Sequence, residues 1–358
     1  MINVTRSFLP PLEEFEKELE KIWESRCLTN NGPYVKNLES ELEKRFQVEK
    51  VKVVNNGTIA MQVALRALGI SNCDVITTPF SFVATTSALL LEGCKPIFVD
   101  IDPNTYNIDA SRIEAHITED TKAILAVHVF GIPCNVEEIK KVAKKHNLKV
   151  IYDGAHCFDV GIEGRSIFNY GHIATGSFHA TKLYHTFEGG CIVTNDRALY
   201  EKIDLFTRFG IEGDNHLCLG TNAKISEINA AMGLLNLKYI DGLIEERKEL
   251  SDLYDACLKT LVVRPEIAPN INYNYAYYPI VLSSEEELLK IIERLKAENI
   301  NPRRYFYPSL NTLPYLKTTQ ECKISEDISS RILCLPLFNG LKKEEALKIA
   351  EIVKGVIL

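Results

Sequence analysis

From residue 51 to about 195 two hydrophobic periods alternate along the chain. Short β-branched runs at 51–54, 75–77, 96–101, 123–129, 150–153, 173–178 and 191–194 predict strands. Stretches with a helical period, 58–68, 83–92 and 136–146, separate several of them. Strands alternating with helices predict βαβ units and a mostly parallel, covered sheet, an α/β fold. Ligands of such sheets sit at the carboxyl ends of the strands, so the loops that follow strands are the places to look for chemistry.

The flanks read differently. An amphipathic helix over 11–26 places Phe15, Leu19, Ile22 and Trp23 on one face behind Pro10–Pro11. A turn at 29–33 precedes a second helix with Leu38, Leu42 and Phe46 on one side. Residues 224–261 read as helical, with Gly242 as the expected bend. Beyond 272 the pattern predicts a strand near 275–282, then a helix to about 297 that opens with Ser284 as N-cap and Glu287 as its capping-box partner. Strands near 304–307 and 332–335, a loop-rich stretch over 308–331 and a terminal helix from Lys343 complete a small α+β unit. The expected division is a large domain, 1–240, which includes the N-terminal helical segment, and a small C-terminal domain, 241–358.

Composition narrows the class. With 358 residues the chain can bury a large core without disulfides or a structural metal. Lys plus Arg is 41 and Asp plus Glu is 48, a net charge of −7, which argues against a general binder of nucleic acid or of anionic membranes. No apolar run is long enough to span a bilayer, and the N-terminus lacks the apolar core of a signal peptide. The ten cysteines form no CxxC pair and read as reduced residues of a cytoplasmic protein.

Four motifs could carry chemistry. Asn55-Asn56-Gly57-Thr58 joins a strand to a helix, where free N–H groups and the helix dipole suit phosphate. It also suits an ordinary helix cap. Asp153, in VIYDGAHCF, ends an apolar strand and needs a buried partner, for which a cationic ring nitrogen or a metal suffices. The alternative is a turn cap. Lys182 follows a strand in Ser177-Phe178-His179-Ala180-Thr181-Lys182, and desolvation there would make its amine nucleophilic. His179 and His185 flank it, but no carboxylate or Cys completes a metal set, and no metal is expected. Gly220-Thr221-Asn222-Ala223-Lys224 leads into the long helix. GxGxxG, Walker and GxSxG motifs are absent, which disfavours a dinucleotide-dependent reductase.

Taken in order, these pieces resemble pyridoxal 5′-phosphate (PLP) enzymes of the aspartate-aminotransferase-like fold, and more closely the DegT/StrS-type sugar aminotransferase family. The stretches that carry the resemblance are NNGTIAMQVAL, DVITTPFSFVATTSAL, PIFVDIDPNTYNID, VIYDGAHCF, GSFHATKLYHTFEGGCIVTND, TNAKISEINAAMGLLNL and RRYFYPSLN, which together run over nearly the whole chain. The resemblance implies a fold-type I PLP-dependent transferase with a large central sheet. It makes Lys182 the Schiff-base lysine and general base, Asp153 the partner of the pyridinium nitrogen, His156 a contact on the phenolic-oxygen side and Phe82 the stacking aromatic. Gly57, Thr58 and Ser177 become phosphate contacts, and Asn222 reaches the neighbouring subunit's cofactor, which implies a homodimer. Arg303, Arg304 and Tyr305 fall where the sugar nucleotide's diphosphate or the donor carboxylate would bind.

The implied reaction moves an amino group, with L-glutamate as the expected donor, to a nucleotide-linked keto sugar that feeds surface polysaccharide such as the O-antigen of lipopolysaccharide. Several stretches are closest to members that make dTDP-4-amino-4,6-dideoxyglucose, with a 3-keto sugar as the alternative. The family's dehydratase branch carries His in place of the Schiff-base Lys, and a non-catalytic homologue would not need Lys182 and Asp153. Two positions depart from the family pattern: Asp153-Gly154-Ala155-His156-Cys157 stands where members commonly read D-A-A-H-A, and Asn311 stands where many carry His.

Overall fold

The computed structural model describes residues 1–316, 318 and 320–358. Seven strands build the central sheet: β1 (Lys50–Val54), β2 (Asp74–Thr77), β3 (Lys95–Phe98), β4 (Thr121–Val127), β5 (Lys149–Asp153), β6 (Ile173–Ser177) and β7 (Gly190–Thr194). Their spatial order is β1-β7-β6-β5-β4-β2-β3. Only β7 runs against its neighbours, pairing antiparallel with both β1 and β6. Most strand residues are apolar on both faces because both faces are covered. In β1, Val51 and Val53 join the apolar cluster that holds Leu38, Leu42 and Phe46, whereas Val54 joins the one that holds Ala60 and Val63.

The helices that cover the sheet begin where the sequence marks a start. α1 (Leu12–Ser25) and α2 (Pro33–Phe46) pack at the N-terminal end, and α2 has Pro at its first position. α3 (Gly57–Ala67), α4 (Val83–Leu91), α5 (Val136–Lys145) and α6 (Arg197–Thr207) follow strands or loops of the sheet. The long helical stretch divides into α7 (Glu227–Leu237) and α8 (Ile240–Leu258). The break falls at Lys238–Tyr239, not at Gly242, which lies inside α8. There Lys238 N–H and Tyr239 N–H donate to the carbonyls of Leu235 and Asn236, three residues back, so the turn tightens. Tyr239 meanwhile packs on Phe8, ring centroids 5.3 Å apart.

Beyond α8, β8 (Tyr278–Val281) pairs antiparallel with β9 (Ile332–Leu335), flanked by α9 (Glu285–Ala297), α10 (Lys323–Arg331) and α11 (Lys343–Ile357). Leu250, Tyr254 and Leu258 of α8 share an apolar cluster with Tyr278, Ile280, Leu288 and Ile349. Ser284 caps α9 by accepting from Glu287 N–H at 3.1 Å, but the Glu287 carboxylate returns to Ser283 N–H at 2.8 Å, one residue earlier than a capping box requires.

Two expectations fail here. The stretch 304–307 is not a strand; pairing is confined to the Arg303–Cys334 bridge. Pro302 and Pro308 flank it without N–H donors. Tyr305 and Phe306, adjacent in sequence, are both buried in one cluster, which strand alternation forbids. The stretch 308–331 contains α10, which hides small polar residues, Ser325 and Ser329, beside Ile328. Its first turn is held by Asp100, whose carboxylate accepts from Ile324 N–H and Ser325 N–H, both at 2.9 Å.

A buried cation ties the outer strand to its helices. Lys52 in β1, 2% exposed, meets Glu39 of α2 at 3.2 Å and Asp204 of α6 at 2.9 Å. Lys52→Ala leaves Glu39 without a cation and Asp204 with Arg208 alone, at 2.9 Å, and is expected to cost about 3 kcal/mol in denaturant unfolding. Lys52→Met, which keeps the packing, should give the same kind of loss because the anions remain, whereas the triple change of Lys52, Glu39 and Asp204 to apolar residues should recover much of it.

Candidate active site

A cavity of about 510 Å³ opens at the carboxyl ends of the parallel strands. β1 delivers its floor. Directly after it, Asn56 caps α3 by accepting from Ile59 N–H at 2.8 Å, leaving the N–H groups at Gly57 and Thr58 without helical partners. These residues face Ser177 at the end of β6, and a Cβ at Gly57 would sit 3.0 Å from the Ser177 Cβ. Because β7 is antiparallel, its first residue rather than its last reaches this edge. Gly190 passes so close to Asn56 that a Cβ would lie 2.7 Å from its carbonyl carbon, so no larger residue fits.

Asp153 ends β5, 6% exposed. Its carboxylate accepts from Ala155 N–H and from Thr85 Oγ1, both at 3.0 Å. Ser81 in turn meets Thr85 at 2.8 Å. Both donors are neutral, and burial pushes the Asp153 pKa up while Lys182 opposes it. A buried carboxyl in this state is satisfied by a cation placed in the cavity. Lys182 lies in the turn after β6, its N–H bonded to the His179 carbonyl at 2.9 Å. Its Nζ stands 3.4 Å from the Tyr277 hydroxyl. Desolvation lowers the Lys182 pKa and so favours the neutral, nucleophilic amine.

His156 lies against Phe306, ring planes 5° apart at 5.8 Å, and its Nδ1 is buried without a hydrogen-bond partner among the described residues. Burial drives its pKa well below that of a free imidazole, so the ring is neutral. Phe82, the residue before α4, lines the cavity and is half exposed. Arg303 stands at the rim with its guanidinium carbon 4.4 Å from the centre of the Tyr305 ring, and both line the cavity.

The structure thus gathers Gly57, Thr58, Phe82, Asp153, His156, Ser177, Lys182, Arg303 and Tyr305 around one space. Arg304 is not among them, contrary to expectation. Its guanidinium bonds to Glu285 at 2.6 Å and to the Ser330 carbonyl at 2.7 Å and covers the Tyr307 ring, which turns it away from the cavity. Asn222 also lies outside this space. It is exposed, its Oδ1 accepting from Lys224 Nζ at 2.7 Å, but the next residue's carbonyl receives Asn55 N–H at 2.9 Å, which fixes the segment beside the start of α3. Sequence reasoning missed Thr85, Tyr277 and Phe306. Thr85 and Tyr277 sit in apolar runs that gave no polar signal, and Phe306 lies in a segment read as a strand.

The two departures from the family pattern resolve physically. A Cβ at position 154 would meet Phe168 at 3.0 Å and the Thr175 carbonyl at 3.1 Å, so Gly154 answers to local crowding. Cys157 is wholly buried, with its thiol toward the His128 carbonyl at 3.9 Å, and does not line the cavity. Asn311 is buried too, donating to Glu326 at 2.6 Å and to the Gln320 carbonyl at 2.9 Å, away from the cavity.

The donor set fits PLP. A helix start beside Ser177 suits a phosphate, the uncompensated Asp153 suits a protonated ring nitrogen, and Lys182 suits a carbonyl carbon. Comparison with known proteins points the same way. The chain is 44% identical to a dTDP-4-amino-4,6-dideoxy-D-glucose transaminase of Shigella dysenteriae, over 96% of this chain and 95% of the relative. It is 40% identical to a transaminase of the same name from Escherichia coli, over 99% and 98%. Among solved structures, DesI in the presence of its TDP-sugar product superposes with a TM-score of 0.93 at 30% identity, covering 99% of this chain and 92% of that one. The DegT/DnrJ/EryC1/StrS aminotransferase family model matches residues 12–354, and the chain belongs to this family of PLP-dependent aminotransferases.

Proposed function

We propose that the protein aminates carbon 4 of dTDP-4-keto-6-deoxyglucose, with L-glutamate as donor. The observation that carries this reading is the desolvated Lys182 amine in the same cavity as the buried Asp153 and the Gly57–Thr58 helix start. The identity to two transaminases named for the 4-amino product supports the choice of sugar.

PLP, when bound, supplies the electron sink for the charge that develops at the donor's α-carbon. The chain's own groups do the rest. The first N–H groups of α3 and Ser177 hold the phosphate. The Asp153 carboxylate, positioned by Thr85 and Ala155, holds the proton on the ring nitrogen. Phe82 and neutral His156 fix the ring's orientation. Lys182 Nζ takes the α-proton of the donor and later delivers a proton to the sugar carbon that receives nitrogen. Tyr277, with its pKa pushed up to about 12 by burial, keeps its proton and so offers Lys182 a neutral neighbour. Among the described residues Arg303 has no carboxylate partner, and it lines the cavity, which suits it to the diphosphate or to the donor's carboxylate.

The proposal extends to assembly. Asn222, held beside α3 yet outside its own cavity, is placed to serve the site of a second copy in a homodimer. The division at about residue 240, with the cofactor held largely by the first part, belongs to the same reading; the separate cluster around Tyr254 and Tyr278 supports it.

Incubation with dTDP-4-keto-6-deoxyglucose, glutamate and PLP should yield dTDP-4-amino-4,6-dideoxyglucose by mass spectrometry and NMR. Conversion of a 3-keto isomer instead would overturn the choice of sugar. Borohydride should fix the cofactor on Lys182, and Lys182→Ala should lose about 10³-fold or more in turnover while remaining folded. Asn222→Ala should weaken cofactor retention on gel filtration without changing the Lys182 label in cofactor-saturated protein.

A further inference from the structure

We propose that Cys73 and Cys94 form an oxidisable dithiol that a peroxide closes into an inter-strand disulfide. The two cysteines immediately precede β2 and β3, neighbouring parallel strands in which Asp74 is the register partner of Lys95. The register begins at that pair, and one residue back Lys95 N–H donates to the Cys73 carbonyl at 2.9 Å, which holds the Cys73 and Cys94 backbones side by side. Asn72 N–H donates to the Glu92 carbonyl at 3.2 Å, so the two segments stay in contact just before the strands begin. Adjacent strands stand about 4.8 Å apart, and Cys73 packs against the apolar cluster that holds Cys94, so the two side chains lie on one face. That separation lies within the range of about 4.4–6.8 Å between α-carbons that a disulfide spans.

The two thiols differ in access. Cys94 is 2% exposed, whereas Cys73 is partly open to solvent. Cys73 is therefore the thiol that meets the oxidant. Its sulfur takes one oxygen from the peroxide, giving a sulfenic acid and releasing water from hydrogen peroxide. The Cys94 thiol then displaces that hydroxyl, the sulfur–sulfur bond forms and a second water leaves. The dithiol loses two electrons and two protons, and the peroxide takes up both. Burial raises the pKa of both thiols, Cys94 to about 11, so closure relies on proximity and is slower than at an activated cysteine.

The bond would close a ring around residues 74–93. That ring holds Ser81, Phe82 and Thr85, the side chains that line the cavity and brace Asp153, while the dithiol itself lies at the opposite end of the strands. Restricting the unfolded chain across this ring stabilises the folded form. The inference does not depend on the substrate proposed above.

The test is to treat the folded holoenzyme with excess hydrogen peroxide, quench it, and count thiols in denaturant. Eight of the ten should remain, one dithiothreitol-sensitive link should join the peptides that contain residues 73 and 94, and Tm should rise and then return on reduction. In Cys94→Ser, dimedone should trap a sulfenic acid on Cys73 instead. In Cys73→Ser, at the more exposed position, no thiol pair should be lost. Retention of all ten thiols, a link between other cysteines, or loss of two thiols in Cys73→Ser would each overturn the proposal.

Discussion

A buried carboxyl whose hydrogen-bond donors among the described residues are both neutral organises this molecule. Asp153 sits at the end of the middle strand of the sheet, and its donors are a hydroxyl and a backbone N–H. Such a group is costly to keep ionised in a low-dielectric interior. The surroundings are built so that a cationic ring nitrogen would offset that cost. Lys182 is near enough to bias Asp153 but is itself desolvated, so it serves poorly as a permanent counter-ion and well as a nucleophile. Stability and chemistry are thus coupled at one strand end.

The sheet makes that coupling geometric. Parallel strands bring their carboxyl ends to one edge, where β1, β5 and β6 deliver the α3 start, Asp153 and Ser177. β7 enters in the opposite sense and brings the segment from Glu188 to Gly190 to the same edge. The close pass of Gly190 by Asn56 leaves no room for a side chain, which lets the loop carrying Lys182 return tightly beneath the helix start. The C-terminal part completes the wall: Arg303, Tyr305 and Phe306 reach the cavity from a segment held by its bridge to β9. Asp100 helps fix that part by capping α10 from the far side of the sheet. The first strand residues, Ile2–Asn3, pair with Ile300–Asn301 and tie the start of the chain to it as well.

The chain's mild acidity bears on ligand capture. A net charge of −7 gives no long-range attraction for a phosphorylated substrate. Local donors must supply it, and among the described residues the guanidinium of Arg303 lines the cavity, whereas Arg304 is spent on Glu285 and the Ser330 carbonyl. Two adjacent arginines, indistinguishable in sequence, therefore have different work.

Local pattern determined much of this protein. The β-branched runs marked all seven sheet strands, the turn chemistry of Asn56-Gly57 and Ser284 marked helix starts, and Lys182 and Asp153 stood out because charged residues rarely end apolar strands. These features are legible because periodicity and capping act over a few residues. What lay beyond reach was set by contacts distant in sequence. The direction of β7, the support Thr85 gives to Asp153, the pairing of Lys52 with Glu39 and Asp204 and the separation of Arg303 from Arg304 each depend on which segments meet in space. The same holds for the stretch 304–307, read from the sequence as a strand. Tertiary burial of Tyr305 and Phe306 in one cluster overrode that local preference, because both adjacent rings fill the wall of the cavity.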